Sequence, residues 1–217
     1  MIINDDFRNH LDKFSQDAYI VSDPPYNQDY HYSEYKDDMS LDDYGEMMHQ
    51  AFGDHKAVVI HYPEETINIL GKILGDCQQV VSWVYNSNTA KQSRLITWWN
   101  CKPDFRKIPQ AYKNPTDKRI AKRIAEGKSA RSYDWWEINQ VKNVSKKTNP
   151  HPCPIPDELA RRIILSTTQE GDFIIDPFAG SGTILRVGEE LKRNVLGFEI
   201  DKSYCDYYAP TSQNQKA

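Results

Sequence analysis

Nearly continuous apolar runs, separated by amphipathic stretches, dominate the hydrophobic pattern of this chain. Residues 18–21 and 56–62 carry apolar side chains with almost no polar alternation. Such runs are typical of strands that are buried on both faces of a parallel sheet. Strands are therefore predicted at 1–4, 18–23, 56–62, 80–85, 94–99, 173–175 and 194–201. Helices are predicted at 5–14, 41–52, 63–75, 117–128, 158–168 and 184–192.

This alternation of strands and helices predicts an α/β fold with a mainly parallel sheet. Residues 80–85 and 94–99 have no helix between them, so we expect an antiparallel hairpin at one edge of the sheet. Residues 101–150 interrupt the alternation and are interpreted as a small recognition segment. The catalytic domain is then a single fold made of 1–100 and 151–210. Residues 211–217 are expected to form a disordered tail.

Charge is distributed very unevenly along the chain, although the net charge is only −4. Residues 1–60 contain 13 Asp and Glu against 4 Lys and Arg, a net charge of −9. Residues 102–147 contain 13 Lys and Arg against 5 Asp and Glu, a net charge of +8. A basic block within an acidic chain favours a polyanionic partner that binds through that block. The alternative is an ordinary solvated charged face.

Composition excludes several classes of protein. The 217 residues are 39% hydrophobic and 27% charged, as in ordinary globular domains. No apolar run approaches the roughly 18 residues that a membrane span needs, and the N-terminus lacks a signal-peptide pattern. The four cysteines are scattered and form no Cys-x-x-Cys pair, so neither a metal site nor a disulfide framework is predicted. We therefore expect a cytoplasmic protein without a membrane partner.

The first candidate site is the segment Asp23-Pro24-Pro25-Tyr26, which follows a predicted buried strand. In open α/β sheets, ligands bind at the carboxyl ends of such strands. The Asp23 carboxylate and the Pro24 carbonyl are neighbouring acceptors that match the two hydrogens of an exocyclic amine. Tyr26 offers a flat face on which a planar ring can stack. A plain surface turn would also explain the Asp and the prolines.

The second candidate site is the segment 176–183, Asp-Pro-Phe-Ala-Gly-Ser-Gly-Thr, between a predicted strand and a predicted helix. Its glycines let the backbone approach a ligand closely, and the helix N-terminus offers free N–H groups. Glu199 follows at the end of the next strand, where it can accept hydrogen bonds from ribose hydroxyls. Leu185 stands where a dinucleotide fingerprint has its third glycine. Asp176 could alternatively act only as a turn cap.

Together the two segments resemble the amino-group DNA methyltransferases that use S-adenosylmethionine. Asp-Pro-Pro-Tyr comes first, a basic segment next and the glycine turn last, and this order resembles the β class of that family. The resemblance covers about 1–100 and 150–208, and it implies a circularly permuted Rossmann-like methyltransferase sheet. In such a sheet the strand at 1–4 must lie beside the last strand. The segment 4–7 resembles the short acidic segment that precedes the catalytic strand. Asp5 and Asp6 are both candidates for its acidic residue.

The resemblance implies roles for named residues. The implied function is methyl transfer from S-adenosylmethionine to N6 of a flipped-out adenine in DNA. The expected catalytic residues are Asp23, Pro24, Pro25 and Tyr26. The expected cofactor-binding residues are Asp6, Asp23, His151, Pro152, Asp176, Phe178, Ala179, Gly180, Ser181, Gly182, Thr183 and Glu199. The expected DNA-binding residues, taken from the basic block, are Arg106, Lys107, Lys113, Lys118, Arg119, Lys122 and Arg123.

Several alternatives remain open at this point. The nearest is N4-methylation of cytosine, for which Ser in place of Asp23 is the commoner form in the resembling family. Methylation of cytosine C5, methylation of a protein glutamine and a nicotinamide oxidoreductase fit the motifs less well. A DNA-binding protein without catalysis is the alternative from a different class. A homodimer and a cognate restriction endonuclease are compatible with the resemblance.

Overall fold

The computed structural model describes residues 1–30, 34–62, 64–88, 90–141 and 151–213, with only the backbone described at 64–65 and 209–213. The described residues leave out positions 63, 142–150 and 214–217, for which the sequence predicts a helix start, part of the recognition segment and part of the tail. The strands are β1 (Ile2–Ile3), β2 (Tyr19–Ser22), β3 (Lys56–His61), β4 (Cys77–Val84), β5 (Ser93–Trp99), β6 (Trp135–Glu137), β7 (Phe173–Asp176) and β8 (Asn194–Phe198). The α-helices are α1 (Leu41–Phe52), α2 (Glu64–Leu74), α3 (Lys118–Ala125), α4 (Asp157–Thr167), α5 (Thr183–Glu190) and α6 (Lys202–Gln213). Two 3-10 helices span Phe7–Lys13 and Phe105–Lys107.

The eight strands form one mixed, mostly parallel sheet in the order β1-β8-β7-β2-β3-β5-β4-β6. The first strand pairs in parallel with the last, with Ile2 opposite Gly197 and Ile3 opposite Phe198. The Asn4 amide then donates to the carbonyls of Glu199 and Ile200, each at 2.9 Å. The first and last strands therefore complete one sheet, which confirms the permuted fold predicted from the sequence.

The strand β3 shows why its sequence lacks polar alternation. Side chains of successive strand residues point to opposite faces. Ala57 and Val59 join the core layer under α1 and α2, whereas Val58 and Ile60 join the layer under α4 and α5. All four are fully buried. The sheet is therefore covered by helices on both faces, and its functional groups must emerge at the strand ends.

The predicted antiparallel pair is present as β4 and β5. The strand β6 adds one more strand outside it, parallel to β4, with Trp83 opposite Trp136. Trp136 is buried in the same core as Trp98, whereas Trp135 is 44% exposed. The recognition segment predicted at 101–150 thus contributes a strand to the main sheet.

Two differences from the predicted boundaries concern the end of the chain. The strand β8 ends at Phe198, three residues earlier than predicted, so Glu199 stands just beyond it. The helix α6 continues to Gln213, so the part of the predicted tail at 211–213 has helical backbone. In the described part of the chain, no helix is both long enough and apolar enough to cross a membrane.

Candidate active site

The carboxyl ends of β2, β7 and β8 lie side by side, because these strands are parallel neighbours in the sheet. Each end presents one carboxylate, from Asp23, Asp176 and Glu199 respectively. One cavity is lined by Asp23 together with Gly180 and Glu199. The two segments singled out in the sequence, about 150 residues apart, therefore open into the same space.

Asp23 follows the last residue of β2 and is 18% exposed at its side chain. Its Oδ1 accepts a short hydrogen bond from the Tyr26 hydroxyl. The Nη1 of Arg94 lies 3.3 Å from its Oδ2. Burial raises the pKa of Asp23, and the positive charge of Arg94 and the Tyr26 hydrogen bond oppose that rise. Asp23 is therefore a carboxylate whose charge depends on its neighbours.

The two prolines after Asp23 face different cavities. Pro25 lines the cavity that holds Gly180, and its carbonyl accepts from the Tyr44 hydroxyl at 2.8 Å. Pro24 lines a neighbouring cavity together with Tyr26 and Tyr62. The rings of Tyr26 and Tyr62 stack with centroids 6.1 Å apart and 27° between their planes. Asp23 lines both cavities, so it stands on the wall between them.

Asp176, the last residue of β7, is 2% exposed. Its Oδ1 accepts from the Ser22 hydroxyl at 2.5 Å and from the Phe178 N–H at 3.1 Å. Burial raises the pKa of Asp176 to about 7, against the effect of these two hydrogen bonds. Asp176 thus ties the ends of β2 and β7 together, which fixes the position of Asp23 relative to the glycine turn.

The glycine turn is held against Glu199. The Gly180 N–H donates to Glu199 Oε2 at 2.8 Å, and the Asp201 N–H donates to Oε1 at 2.8 Å. Burial raises the pKa of Glu199, although both backbone hydrogen bonds oppose this. The two N–H groups orient the carboxylate at the rim of the cavity that it lines.

The two glycines of this turn are required for different reasons. Gly180 has φ 53°, and a Cβ there would lie 3.1 Å from the His151 ring. Gly182 has φ 79°, and a Cβ there would lie 2.4 Å from Tyr208 of α6. Gly180 lines the cavity, whereas Gly182 leaves room for a packed helix. The missing side chain of Gly182 is therefore explained by packing against the helix. The predicted close approach to a ligand remains the interpretation of Gly180 alone.

His151 lies between the cavities and packs edge-on against Tyr204, with ring centroids 4.9 Å apart. Burial lowers the pKa of His151 to about 4, so the ring is neutral at pH 7. Pro152 is exposed and is absent from the residues that line the cavities. Asp6 lines the main cavity, and its carboxylate caps the 3-10 helix and pairs with Arg8.

Six predicted residues between Asp176 and Thr183 line a smaller adjoining cavity, which Asp23 also lines. They are Asp176, Phe178, Ala179, Gly180, Ser181 and Thr183.

Comparisons with known proteins agree with this geometry. A family model described as DNA methylase, N6_N4_Mtase, matches residues 18–210. The chain belongs to this DNA methylase family. The matched span includes both segments that line the cavity, so the family assignment and the site rest on the same residues.

Among curated members of the DNA methylase family, the Type II methyltransferase M.HpaI of Haemophilus parainfluenzae is 26% identical over 204 residues. That match covers 86% of this chain and 65% of the relative. The Type II methyltransferase M2.DpnII of Streptococcus pneumoniae is 40% identical over 85 residues, which cover 39% of this chain and 31% of the relative. The chain thus spans about two thirds or less of the length of these relatives.

Two solved structures share the fold. A complex of M1.HpyAVI with SAM superposes with a TM-score of 0.66 at 19% identity, covering 97% of both chains. The PvuII DNA methyltransferase, described as cytosine-N4-specific, superposes with a TM-score of 0.68 at 17% identity, covering 96% of this chain and 84% of that one. These likenesses confirm the predicted methyltransferase architecture.

The basic residues predicted to bind DNA lie on the surface of the segment 101–141. The helix α3 begins after Asp117, whose carboxylate accepts from the N–H groups of Arg119 and Ile120, and it buries none of its side chains. Lys113 lies over the rings of Tyr133 and Trp135, 4.6 Å and 5.0 Å from their centroids. The segment therefore presents cations next to exposed aromatic faces.

The predicted basic residues differ in how far they are engaged by the protein itself. Arg106 makes two hydrogen bonds with Asp104, and Lys107 Nζ donates to the Thr168 carbonyl at 3.1 Å. Arg123 Nε donates to the Tyr112 hydroxyl at 2.9 Å. The exposed cations of α3 are Lys118, Arg119, Lys122 and Arg123.

Sequence reasoning missed two groups at the site. Arg94 contacts both Asp23 and Tyr26, but in the sequence it is one polar residue at the start of a predicted strand. Asp37 is 2% exposed and accepts from the N–H groups of Asn27 and Gln28, which organises the loop after Asp-Pro-Pro-Tyr. Only the acidic composition of that loop pointed towards Asp37.

Proposed function

We propose that this chain transfers a methyl group from S-adenosylmethionine to an exocyclic amine of a base in DNA, and that the amine is N6 of adenine. The observation that carries the proposal is the shared cavity of Asp23, Gly180 and Glu199. The shared cavity supports the proposal because the Asp23 carboxylate, an acceptor for an amine, lines it together with the glycine turn. Membership of the DNA methylase family and the names of the relatives support the same reaction class.

The lining of the cavity shared by Asp23, Gly180 and Glu199 fits S-adenosylmethionine, whose sulfonium and ammonium charges outweigh its one carboxylate. Six carboxylates and one arginine line it among the described residues. The carboxylates are those of Asp5, Asp6, Asp23, Glu34, Glu199 and Asp201. Opposite charges attract strongly in a partly buried site. Glu199 is placed to accept from ribose hydroxyls, and Gly180 leaves room that a Cβ would fill.

When bound, S-adenosylmethionine would supply a methyl group already activated on sulfur. The protein then has to orient the amine. Asp23 and the Pro24 carbonyl would accept the two amine hydrogens, which favours a pyramidal nitrogen with its lone pair directed at the methyl group. As the nitrogen–methyl bond forms, the methyl–sulfur bond would break with its electron pair going to sulfur, and the surplus amine proton would pass to the Asp23 carboxylate and then to water. Positioning of this kind can lower a barrier by several kcal/mol. The carboxylate must be ionised to accept through either oxygen, because protonation turns one of the two oxygens into a donor.

The second cavity fits the target base. It is lined by Tyr26, Tyr62 and Pro24, so it offers aromatic faces beside Asp23. A base inside a duplex cannot bring its amine to such a pocket, so the nucleotide has to leave the stack. The basic segment would contact phosphates, which fixes the register of the protein on DNA without reading sequence.

N4-methylation of cytosine is the second candidate. The cytosine-N4-specific PvuII enzyme shares the fold, and an exocyclic amine of cytosine would meet the same two acceptors. The aspartate at position 23, rather than serine, is the feature that favours adenine. Chromatography of nucleosides from methylated DNA separates the two products, and N4-methylcytosine as the product would refute the adenine assignment.

The test of the proposed reaction is transfer of tritium from labelled S-adenosylmethionine to DNA. We expect transfer by the parent chain and its loss in Asp23→Ala. The matched control is Asp12→Ala, which removes a carboxylate that is 77% exposed and lies outside the cavities. Equal transfer by Asp23→Ala and the parent would remove the role proposed for Asp23. The homodimer and the restriction endonuclease partner stay predictions.

A further inference from the structure

Arg94, the second residue of β5, lies at the centre of the site although no motif includes it. Its side chain is 12% exposed. Its Nη1 donates to the Tyr26 hydroxyl at 3.0 Å and lies 3.3 Å from Asp23 Oδ2. A single nitrogen of the guanidinium thus bridges the carboxylate and the tyrosine of the Asp-Pro-Pro-Tyr segment.

The surroundings of Arg94 preserve its charge. The guanidinium carbon lies 5.4 to 5.9 Å from the ring centroids of Tyr26, Tyr62 and Trp83, and aromatic faces attract a cation without neutralising it. Its Nε is buried and has no hydrogen-bond partner in the described part of the chain. A buried cation is costly unless it is paired, and its anionic partner here is Asp23.

We propose that Arg94 is a positioning residue for methyl transfer, which holds the Asp23 carboxylate ionised and directed towards the target amine. This inference rests on the proposed function. Only the ionised carboxylate can accept from the amine through either oxygen, since a protonated carboxyl turns one oxygen into a donor. Burial favours the neutral carboxyl, whereas a cation at hydrogen-bonding distance favours the ionised carboxylate.

The other titratable groups near Asp23 cannot replace Arg94. Asp176 is an acid and supplies no positive charge, and the charge of Asp23 raises the pKa of Asp176. His151 is neutral at pH 7 because burial lowers its pKa to about 4. Tyr44 donates its hydroxyl hydrogen to Pro25. Without Arg94, only the Tyr26 hydrogen bond would oppose the effect of burial on Asp23.

The test compares Arg94→Met and Arg94→Lys with the parent by measuring kcat/KM for methyl transfer across pH. We expect the acidic limb to move up by about one pH unit in Arg94→Met, because an opposite charge at this distance shifts a carboxyl pKa by one to three units. Arg94→Lys keeps the charge and should shift the limb less. At pH values well below both limbs, kcat should fall about tenfold in Arg94→Met, with KM for S-adenosylmethionine nearly unchanged.

A purely structural role predicts something else. Misfolding lowers the concentration of active enzyme, which reduces the rate equally at every pH and leaves the limb in place. The control is Arg161→Met, which breaks an arginine–carboxylate pair with Glu190 outside the cavities. A limb that stays at the parent pH in Arg94→Met would overturn the inference.

A second measurement separates this inference from the proposed function. In the free protein, carbon-13 NMR of labelled aspartate carboxyls follows the Asp23 titration, with Asp23→Asn to assign the signal. An upward shift in Arg94→Met supports control of Asp23 by Arg94 even if the parent transfers no methyl group to DNA. An unchanged Asp23 titration in an active enzyme contradicts the role of Arg94.

Discussion

Carboxylates in two regions of the molecule have pKa values that are shifted in opposite directions. One region is the cleft at the ends of β2, β7 and β8, and the other is the basic segment at 101–141. In the cleft, burial raises the pKa of Asp23, Asp176 and Glu199. In the segment, hydrogen bonds from Arg106 lower the pKa of the partly exposed Asp104 to about 2. The cleft therefore holds charges whose state depends on their neighbours, whereas the segment holds charges that remain ionised and solvated.

The partners of these groups also differ in their distance along the chain. Asp23 is bound by Arg94, and Asp176 is bound by Ser22. Each pair therefore joins residues that are far apart along the chain. In the segment, Asp104 pairs with Arg106 two residues away. Substitutions in the cleft should consequently affect chemistry and stability together, while substitutions of the exposed cations of the segment should affect only binding to a polyanion.

The largest effect is expected from Asp23→Asn, which keeps the size of the side chain and removes its charge. We expect kcat for methyl transfer to fall about 100-fold or more, the usual cost of losing one aligned hydrogen-bonding group in a catalytic site. The KM for S-adenosylmethionine should change much less than kcat, because Asp23 is one of six carboxylates that line the cavity. Steady-state kinetics measures this fall, with Asp104→Asn as the control. A fall in kcat of less than threefold in Asp23→Asn would contradict a catalytic role for the carboxylate in the cleft.

The next effect concerns stability and pH. The Asp176 pKa of about 7 lies above the unfolded value near 3.9, so the folded state keeps a proton that the unfolded state releases between these pH values. Stability should therefore fall as pH rises from 4 to 7. Relative to Asp176→Asn, the parent should lose about 2.5 kcal/mol of unfolding free energy between pH 5 and 8.

Urea unfolding at the two pH values measures this difference. Asp23 and Glu199 shift in the same direction and remain in both proteins, so only the difference between parent and variant reports on Asp176. Asp104→Asn is the control from the basic segment, because Asp104 is ionised throughout this range. Parallel curves for the parent and Asp176→Asn would contradict a raised pKa at Asp176.

A smaller effect is expected from Gly180→Ala. Its Cβ would lie 3.1 Å from His151 at the cavity, and affinity for S-adenosylmethionine should weaken about tenfold. Gly75→Ala is the matched control, since Gly75 also has positive φ but nothing lies within 4 Å of its Cβ. Both variants carry the same backbone strain of about 1–2 kcal/mol. Calorimetry that finds equal affinities would show that the turn does not face the cofactor.

The smallest effect is expected from Lys122→Gln in α3. Loss of one phosphate contact should reduce the slope of log Kobs against log salt by about 0.9. Lys192→Gln removes a cation that is 74% exposed and pairs with Glu170, away from the segment, and should leave the slope unchanged. Equal slopes for Lys122→Gln and the parent would exclude α3 from the DNA contact.

Much of the cleft was predictable from the sequence, because its parts are local. A buried apolar run followed by Asp23-Pro24 marks a strand end, and Gly180 marks a turn. The pairing of β1 with β8 followed from the permuted order of the motifs. What could not be predicted is Arg94, whose role depends on a contact across the sheet with Asp23, 71 positions away.

The recognition segment was predictable as a charge pattern but not as a structure. The three-residue strand β6 has too few positions to show a period, so its place beside β4 was not predicted. The neighbouring tryptophans also separate: Trp136 is buried in the main core and Trp135 is exposed. Only the pairing partner decides which face of a strand is buried, and that partner is distant in sequence.

A crystal structure of the chain with S-adenosylmethionine would test the central claim most directly. We predict that the ribose lies beside Glu199 and that the methyl group reaches the wall formed by Asp23, close enough for an amine nitrogen to sit about 3–3.5 Å away. A cofactor bound outside the cavity shared by Asp23 and Gly180, or a methyl group directed away from Asp23, would contradict the account.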